Sequence, residues 1–159
     1  MNRRRASVLT VSDGVKEGTR PDASGDRLVE RLGEAGFDIT ERRVVPDEQP
    51  TIEEMLTEMA SASDLVITTG GTGFGPRDVT PEATAAVLDR PAPGLVHLLI
   101  ATGLEHTPMA ALSRQSAGVI GSSLVCNLPG STKAVDEGLD ALLPIVDHAL
   151  ELLAGERPH

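Results

Sequence analysis

Three segments of this chain combine small, kinked and acidic residues in a way that suits holding a phosphate: Ser12-Asp13-Gly14, the run from Gly70 to Asp78, and Pro129-Gly130-Ser131. In the middle segment Gly70, Gly71, Thr72 and Gly73 follow one another, and glycines let successive backbone N–H groups turn inward on an anion. Thr80-Pro81, just beyond, reads as a helix start with Thr80 as N-cap and Pro81 in the first turn, and the positive end of that helix adds to the attraction. The run is not a Walker A loop, which needs a Gly-Lys-Ser/Thr ending, because the only lysines are Lys16 and Lys133. Nor is it a G-x-G-x-x-G fingerprint, since the last glycine counted from Gly71 is replaced by Pro76. By itself, such a loop is also what close packing demands.

Carboxylates gather at the same places. Asp13, Asp47 (after Pro46), Asp78 and Glu82 all fall at or beside the ends of apolar runs. Each has an ordinary role in a turn or at a helix N-terminus. Together, beside a phosphate cradle, they would repel a nucleotide unless Mg²⁺ lay between them, an arrangement in which carboxylates and phosphates share one hard cation. Arg114, after Ser113, is either a partner for an anionic substrate or a solvated cation. His97, His106, His148 and His159 show no spacing of metal ligands. Cys126, the single cysteine, stands in the apolar run Leu124-Val125-Cys126 and reads as a buried, inert thiol.

These segments converge only if the chain places them on one edge, and the apolar pattern says that it does. Short continuous apolar runs alternate with stripes of 3.6-residue period, the pattern of a mostly parallel sheet wrapped by helices. Strands are expected at Ala6–Val11, Phe37–Val45, Leu65–Thr69, 118–121 and Ser123–Leu128. Helices are expected from Ser24, as N-cap, to Gly36; from a Thr51-Ile-Glu-Glu54 capping box onward; and from Thr80 to about Leu88, where Pro91 and Pro93 follow. Another helical stretch covers Leu95–Thr102, a short one Met109–Arg114, and a long last helix, kinked at Pro144, runs from Val135 to Leu153. Each candidate loop follows a strand and precedes a helix, so all lie at the carboxyl edge of the sheet, where open α/β folds bind ligands.

The 159 residues fit a single domain, 1–159, with its core at about 6–153. A formal charge of −10, and Phe37 and Phe74 as the only aromatic residues, argue against nucleic acid as a partner. The same lack of rings weighs against a flavodoxin-like electron carrier. No apolar stretch is long enough for a membrane span, and the run after Arg3-Arg4-Arg5 is too short for a signal sequence, so the chain reads as cytoplasmic with a solvated, mobile N-terminus. Gly155–His159 reads as a frayed tail.

The motifs resemble one family. Thr69-Gly-Gly-Thr-Gly73 followed by Arg77-Asp-Val-Thr-Pro-Glu-Ala-Thr84 is similar to the signature of the MogA/MoaB family, the molybdopterin-binding domain proteins of molybdenum cofactor biosynthesis. Thr10-Val-Ser-Asp-Gly14, Asp22-Ala-Ser-Gly25, Val45-Pro-Asp47, Leu112-Ser-Arg114 and Leu128-Pro-Gly-Ser131 resemble the family's other blocks in the same order. The resemblance implies a three-layer α/β/α fold and transfer of AMP from Mg-ATP to the terminal phosphate of molybdopterin, giving adenylylated molybdopterin and pyrophosphate. It further implies that Gly70, Gly71, Thr72 and Gly73 hold nucleotide phosphate, with Thr80 and Glu82 beside them. Asp78 would be the main catalytic carboxylate, with Asp47 or Asp13 helping to hold Mg²⁺. Ser113, Arg114, Pro129, Gly130 and Ser131 would shape the substrate side, with Ser12 and Asp13 on the opposite wall. Which loop takes adenosine and which takes the pterin stays open, as does a non-catalytic carrier that holds molybdopterin without adenylylating it. The resemblance also implies a homotrimer or a hexamer built from trimers, a short stand-alone form, and hand-over of product to a molybdate-insertion protein.

Overall fold

Among the described residues the alternation of apolar runs and amphipathic stripes resolves into six strands and six α-helices around one sheet. The computed structural model describes residues 3–156. In chain order the elements are β1 (Arg5–Val11), α1 (Asp13–Glu17), α2 (Ala23–Glu34), β2 (Asp38–Val45), α3 (Gln49–Ala62), β3 (Leu65–Thr69) and α4 (Thr80–Val87). They continue with β4 (Arg90–Pro91), α5 (Pro93–Leu104), a 3₁₀ turn (Pro108–Leu112), β5 (Ala117–Ile120), β6 (Ser123–Leu128) and α6 (Thr132–Leu153).

The sheet order is β2-β1-β3-β6-β5-β4. The first four strands are parallel, whereas β5 runs antiparallel to β6, and β4 to β5. Successive side chains of a strand point to opposite faces, so two cores form. On one face Ala6, Val8, Leu65, Ile67, Leu124 and Cys126 pack with Leu28 and Leu32 of α2 and with Leu139, Leu142 and Val146 of α6. On the other face Leu9, Val11, Val66 and Val125 pack with Ile52, Leu56 and Met59 of α3 and with Ala83 of α4. The result is the expected three-layer α/β/α arrangement.

After β1 the chain adds β2 on one side, and after β2 it crosses back to add β3 on the other. The switch point therefore lies between β1 and β3, whose carboxyl ends carry Ser12-Asp13 and the glycine run. In open sheets this is where a crevice forms.

Several local expectations need correction. The Gly- and Asp-rich stretch after β1 contains a short helix, α1, capped by Ser12, whose Oγ accepts the Val15 N–H at 3.2 Å. Asp22, not Ser24, caps α2 through the Gly25 N–H at 3.1 Å. Helix α3 begins at Gln49 with Glu48 as N-cap, ahead of the Thr51 capping box, because Pro50 is accommodated in its first turn. Val79, not Thr80, is the N-cap of α4, since the Thr80 hydroxyl is turned to the Gly70 carbonyl at 3.0 Å. The two-residue β4 was not expected. Helix α6 runs from Thr132 to Leu153 with Pro144 inside it.

The arginines at the start are also tied down. Arg3 donates to the Gly36 carbonyl at 3.1 Å, and Arg5, in β1, pairs with Asp64 at 3.4 Å. The expected frayed tail falls largely on residues 157–159, outside the described residues; Gly155, at φ 83°, ends α6.

Candidate active site

The end of β1 is stitched to that of β2, and the end of β3 to that of β6. The Ser12 N–H donates to the Val45 carbonyl at 3.0 Å, and the Gly70 N–H to the Leu128 carbonyl at 3.1 Å. Thr69 Oγ1 donates to the Pro129 carbonyl at 3.0 Å. Gly70 and Gly71 have φ of 97° and 70°, in the left-handed region where a side chain is strained. Space forbids one as well. A Cβ on Gly71 would strike Thr80 Oγ1 and lie 3.1 Å from Asp47 Oδ1, and one on Gly130 would lie 3.3 Å from the Cα of Gly70. Two loops and one carboxylate thus meet at van der Waals distance only because glycine stands at the junction.

Asp13 and Asp47 hold each other through backbone N–H groups. The Asp13 N–H donates to Asp47 Oδ2 at 2.8 Å, and the Asp47 N–H to Asp13 Oδ1 at 3.0 Å. Arg77 grips Asp13 with both ends of its fork, Nε to Oδ2 and Nη2 to Oδ1, each at 2.9 Å. That hydrogen bond, together with the Asp47 N–H, holds the Asp13 carboxyl below the usual range. Asp47 shifts the other way: burial raises it first, and the charges of Asp13 and Asp78 raise it further, against the Asp13 N–H and Arg77, which lower it. A partly buried carboxylate facing two like charges is poised to accept a cation. Asp78 accepts the Gly75 N–H through Oδ2 at 2.9 Å.

Between these loops, α5, the 3₁₀ turn and the start of α6 lies a cleft of about 840 Å³, within the usual size for a small-molecule site. Ser12, Asp47, Gly70, Gly71, Thr72, Gly73, Asp78, Ser113, Pro129, Gly130 and Ser131 line it, all expected from the sequence. Asp13, Thr80, Glu82 and Arg114 stand outside the lining. Thr80 is fully buried against Gly70, Glu82 pairs with Arg114 at 2.8 Å, and Asp13 is bound to Arg77. Ser131 caps α6 by accepting the Ala134 N–H at 3.0 Å, so the positive end of a 22-residue helix opens on the cleft.

The cleft also has walls that the loop motifs did not disclose. Leu99, Ile100, Met109 and Leu112 give it an apolar side, Arg20 and Lys133 add positive charge, and Gln115 and Glu137 add polar groups. Lys133 had a visible cue, lying two residues beyond Ser131 in the first turn of the last helix. The apolar wall had none, because its residues carry an ordinary helical stripe. Neither Phe37, buried in the core, nor Phe74, 70% exposed, lines the cleft.

No group of three or more metal-ligating side chains occurs among the described residues. Magnesium is commonly held by one or two carboxylates with substrate phosphates completing its shell. Asp47, with Oδ1 beside Gly71, and Asp78 supply the hard oxygens of that arrangement against a glycine cradle, so these residues fit the ion.

A switch-point cleft with a glycine cradle, a helix N-terminus and opposed carboxylates defines a phosphate-handling α/β protein. The chain belongs to the probable molybdopterin binding domain family, whose model matches residues 7–148. It is 41% identical over 152 residues to the molybdopterin adenylyltransferase of Helicobacter pylori, covering 93% of this chain and 86% of that one. It is 42% identical over 157 residues to gephyrin of Dictyostelium discoideum, covering 92% of this chain but only 22% of that longer protein. Among solved structures, the molybdopterin biosynthesis enzyme MoaB of Thermus thermophilus superposes with a TM-score of 0.90 at 47% identity, covering 96% of this chain and 98% of that one.

Proposed function

We propose that this protein is a molybdopterin adenylyltransferase. A terminal phosphate oxygen of molybdopterin attacks the α-phosphorus of ATP, the bond from that phosphorus to the bridging oxygen of the β-phosphate breaks, and pyrophosphate leaves with adenylylated molybdopterin as product. The observation that carries the reading is the placement of Asp47 and Asp78 in one cleft with the Gly70–Gly73 cradle. The identity to an adenylyltransferase that the chain matches over most of its length supports it.

Phosphoryl-type transfer of this kind depends on positioning and charge stabilisation rather than on a protein nucleophile. The lone thiol, Cys126, is buried, and burial pushes it up to about 12, which leaves it protonated and unreactive. The glycine cradle and the start of α6 present N–H groups to phosphate. Ser12, Ser113 and the Pro129-Gly130-Ser131 turn shape the walls around both substrates. Asp78 and Asp47 would hold Mg²⁺, which when bound would neutralise charge on the phosphates. Asp13 serves by fixing Asp47 and Arg77, while Thr80 and Glu82 fix the cradle from behind.

The same reading takes the chain as one domain, assembled as a homotrimer or as a hexamer built from two trimers. It works in the cytoplasm and passes its product to a molybdate-insertion protein. Among the described residues no helix is long and apolar enough to cross a membrane. Incubation with molybdopterin, ATP and Mg²⁺, followed by mass spectrometry, tests the activity. Magnesium-dependent adenylylated molybdopterin with equimolar pyrophosphate is the expected result; tight molybdopterin binding without product would make the protein a carrier.

A further inference from the structure

We infer that Arg114 is a positioning residue that fixes the Asp78 carboxylate by bracing the loop that carries it, and that it does not bind substrate. For its kinetic readout the inference rests on the adenylyltransferase reading above. Between Thr72 and Asp78 the chain has no regular structure and includes Gly73 and Gly75, so its backbone has unusual freedom. Its internal ties are local: the Asp78 N–H to the Gly75 carbonyl at 3.0 Å and the Gly75 N–H to Asp78 Oδ2 at 2.9 Å. These bonds shape the turn, and the Arg77 side chain reaches across to Asp13, but neither holds the backbone of the turn against the helix that follows.

Arg114 supplies that hold from outside. Its own N–H donates to the Thr72 carbonyl, its Nε to the Gly73 carbonyl and its Nη2 to the Asp78 carbonyl, each at 2.8 Å. Its Nη1 meets both oxygens of Glu82, in the first turn of α4, at 2.8 and 2.9 Å. One side chain thus ties both ends of the loop to the following helix. The guanidinium is a rigid planar fork, so three acceptors set around it are fixed relative to one another as well as to it. With Glu82 offsetting its charge and its nitrogens aimed at protein oxygens, Arg114 has little left to offer an anionic ligand.

The brace is itself anchored in the sheet. Next to it Gln115 Nε2 donates to the Asn127 carbonyl at 3.2 Å, and the Ser116 N–H to Asn127 Oδ1 at 3.0 Å. The Asn127 amide, fully buried in β6, donates in turn to Thr68 Oγ1 and Thr84 Oγ1, both at 3.0 Å. Asp78 is therefore referred through Arg114 to the rigid centre of the fold.

The test compares the parent with Arg114→Gln, Arg114→Lys and Glu82→Gln in two readouts: steady-state kinetics with molybdopterin and Mg-ATP, and hydrogen exchange of the Gly75, Asp78 and Thr80 amides. A misplacement of about 1 Å is worth about 10²-fold in rate. Arg114→Gln is expected to lose kcat on that scale, with KM for molybdopterin within about threefold of the parent. Exchange at 75–80 should accelerate while β3 stays protected. Arg114→Lys should recover part of the rate, and Glu82→Gln, which keeps an acceptor for Nη1, should fall between it and the parent. If Arg114→Gln does not fold, these two milder variants carry the comparison. Parent-like kcat with parent-like exchange would overturn the inference, as would a raised KM with unchanged kcat, the mark of a ligand contact. If the parent makes no adenylylated molybdopterin the adenylyltransferase reading fails, and the exchange data alone decide whether the brace exists.

Discussion

A single methyl group on Gly71 probes the junction on which the site depends. In Gly71→Ala the new Cβ collides with Thr80 Oγ1 and comes to 3.1 Å from Asp47 Oδ1 and 3.3 Å from Val11 Cγ1. The backbone is at φ 70°, where an L-side chain costs ~1–2 kcal/mol. Displacing the Thr80 hydroxyl also breaks its bond to the Gly70 carbonyl, for about 1 kcal/mol more. The sum is ~2–3 kcal/mol, which at ordinary denaturant slopes lowers a urea midpoint by about 1 M. Because the same methyl group presses on Asp47, turnover should fall beyond what the lost stability explains. Gly130→Ala is the matched control: its Cβ meets only the Gly70 backbone, Cα at 3.3 Å and N at 3.8 Å, and its φ is not positive, so its stability loss should be smaller by at least ~1 kcal/mol. Urea unfolding and kcat of both variants decide. A Gly71→Ala protein with the parent's midpoint and turnover would refute the packing argument.

Two further outcomes follow from the charges and the buried thiol. Burial holds Asp47 above the usual carboxylate range, so its charging opposes folding as pH rises through that window, and on acidification it protonates before Asp13, which is lowered. Asp78→Asn removes one of the like charges and should move the Asp47 midpoint down in a carboxyl ¹³C titration, as should saturating Mg²⁺; an unmoved midpoint in both would contradict the proposed cation site. Cys126 should resist a thiol reagent at pH 8 in the folded protein and react fully in denaturant, and rapid labelling of the native state would show that β6 is not sealed as described.

The strands were legible because burial on both faces leaves continuous apolar runs, as in Leu65-Val-Ile67 and Leu124-Val-Cys126. That their carboxyl ends share one edge followed from alternation with helices, and so the cleft-lining loops could be named, whereas the order of the strands could not. What failed to show were features decided by partners far away in the chain. Thr80 has the right type and place for a helix cap, yet its hydroxyl is taken by Gly70, and the cap position passes to Val79. Ser24 lost its cap to Asp22, whose carboxylate also accepts the Thr10 hydroxyl and pairs with Arg42. Arg114 reads in sequence as a substrate partner or a solvated cation because nothing near it announces that Gly73, Asp78 and Glu82 will surround it. The pair Arg90-Pro91 forms a strand only because Val119 and Gly118 lie alongside. Arg3 and Arg5 are held by Gly36, Asp38 and Asp64, contacts that no N-terminal sequence pattern reveals.

The most direct test of the account is single-turnover adenylylation by Asp78→Asn beside the parent, with molybdopterin, Mg-ATP and equal amounts of folded protein. The parent should form adenylylated molybdopterin and pyrophosphate only with Mg²⁺. The variant should keep the parent's fold and molybdopterin binding but form product at least ~10²-fold more slowly, the scale of losing a charge-positioning group at the reacting phosphate. Product formation by the variant at the parent's rate would contradict the role given to Asp78 and, with it, the proposed site.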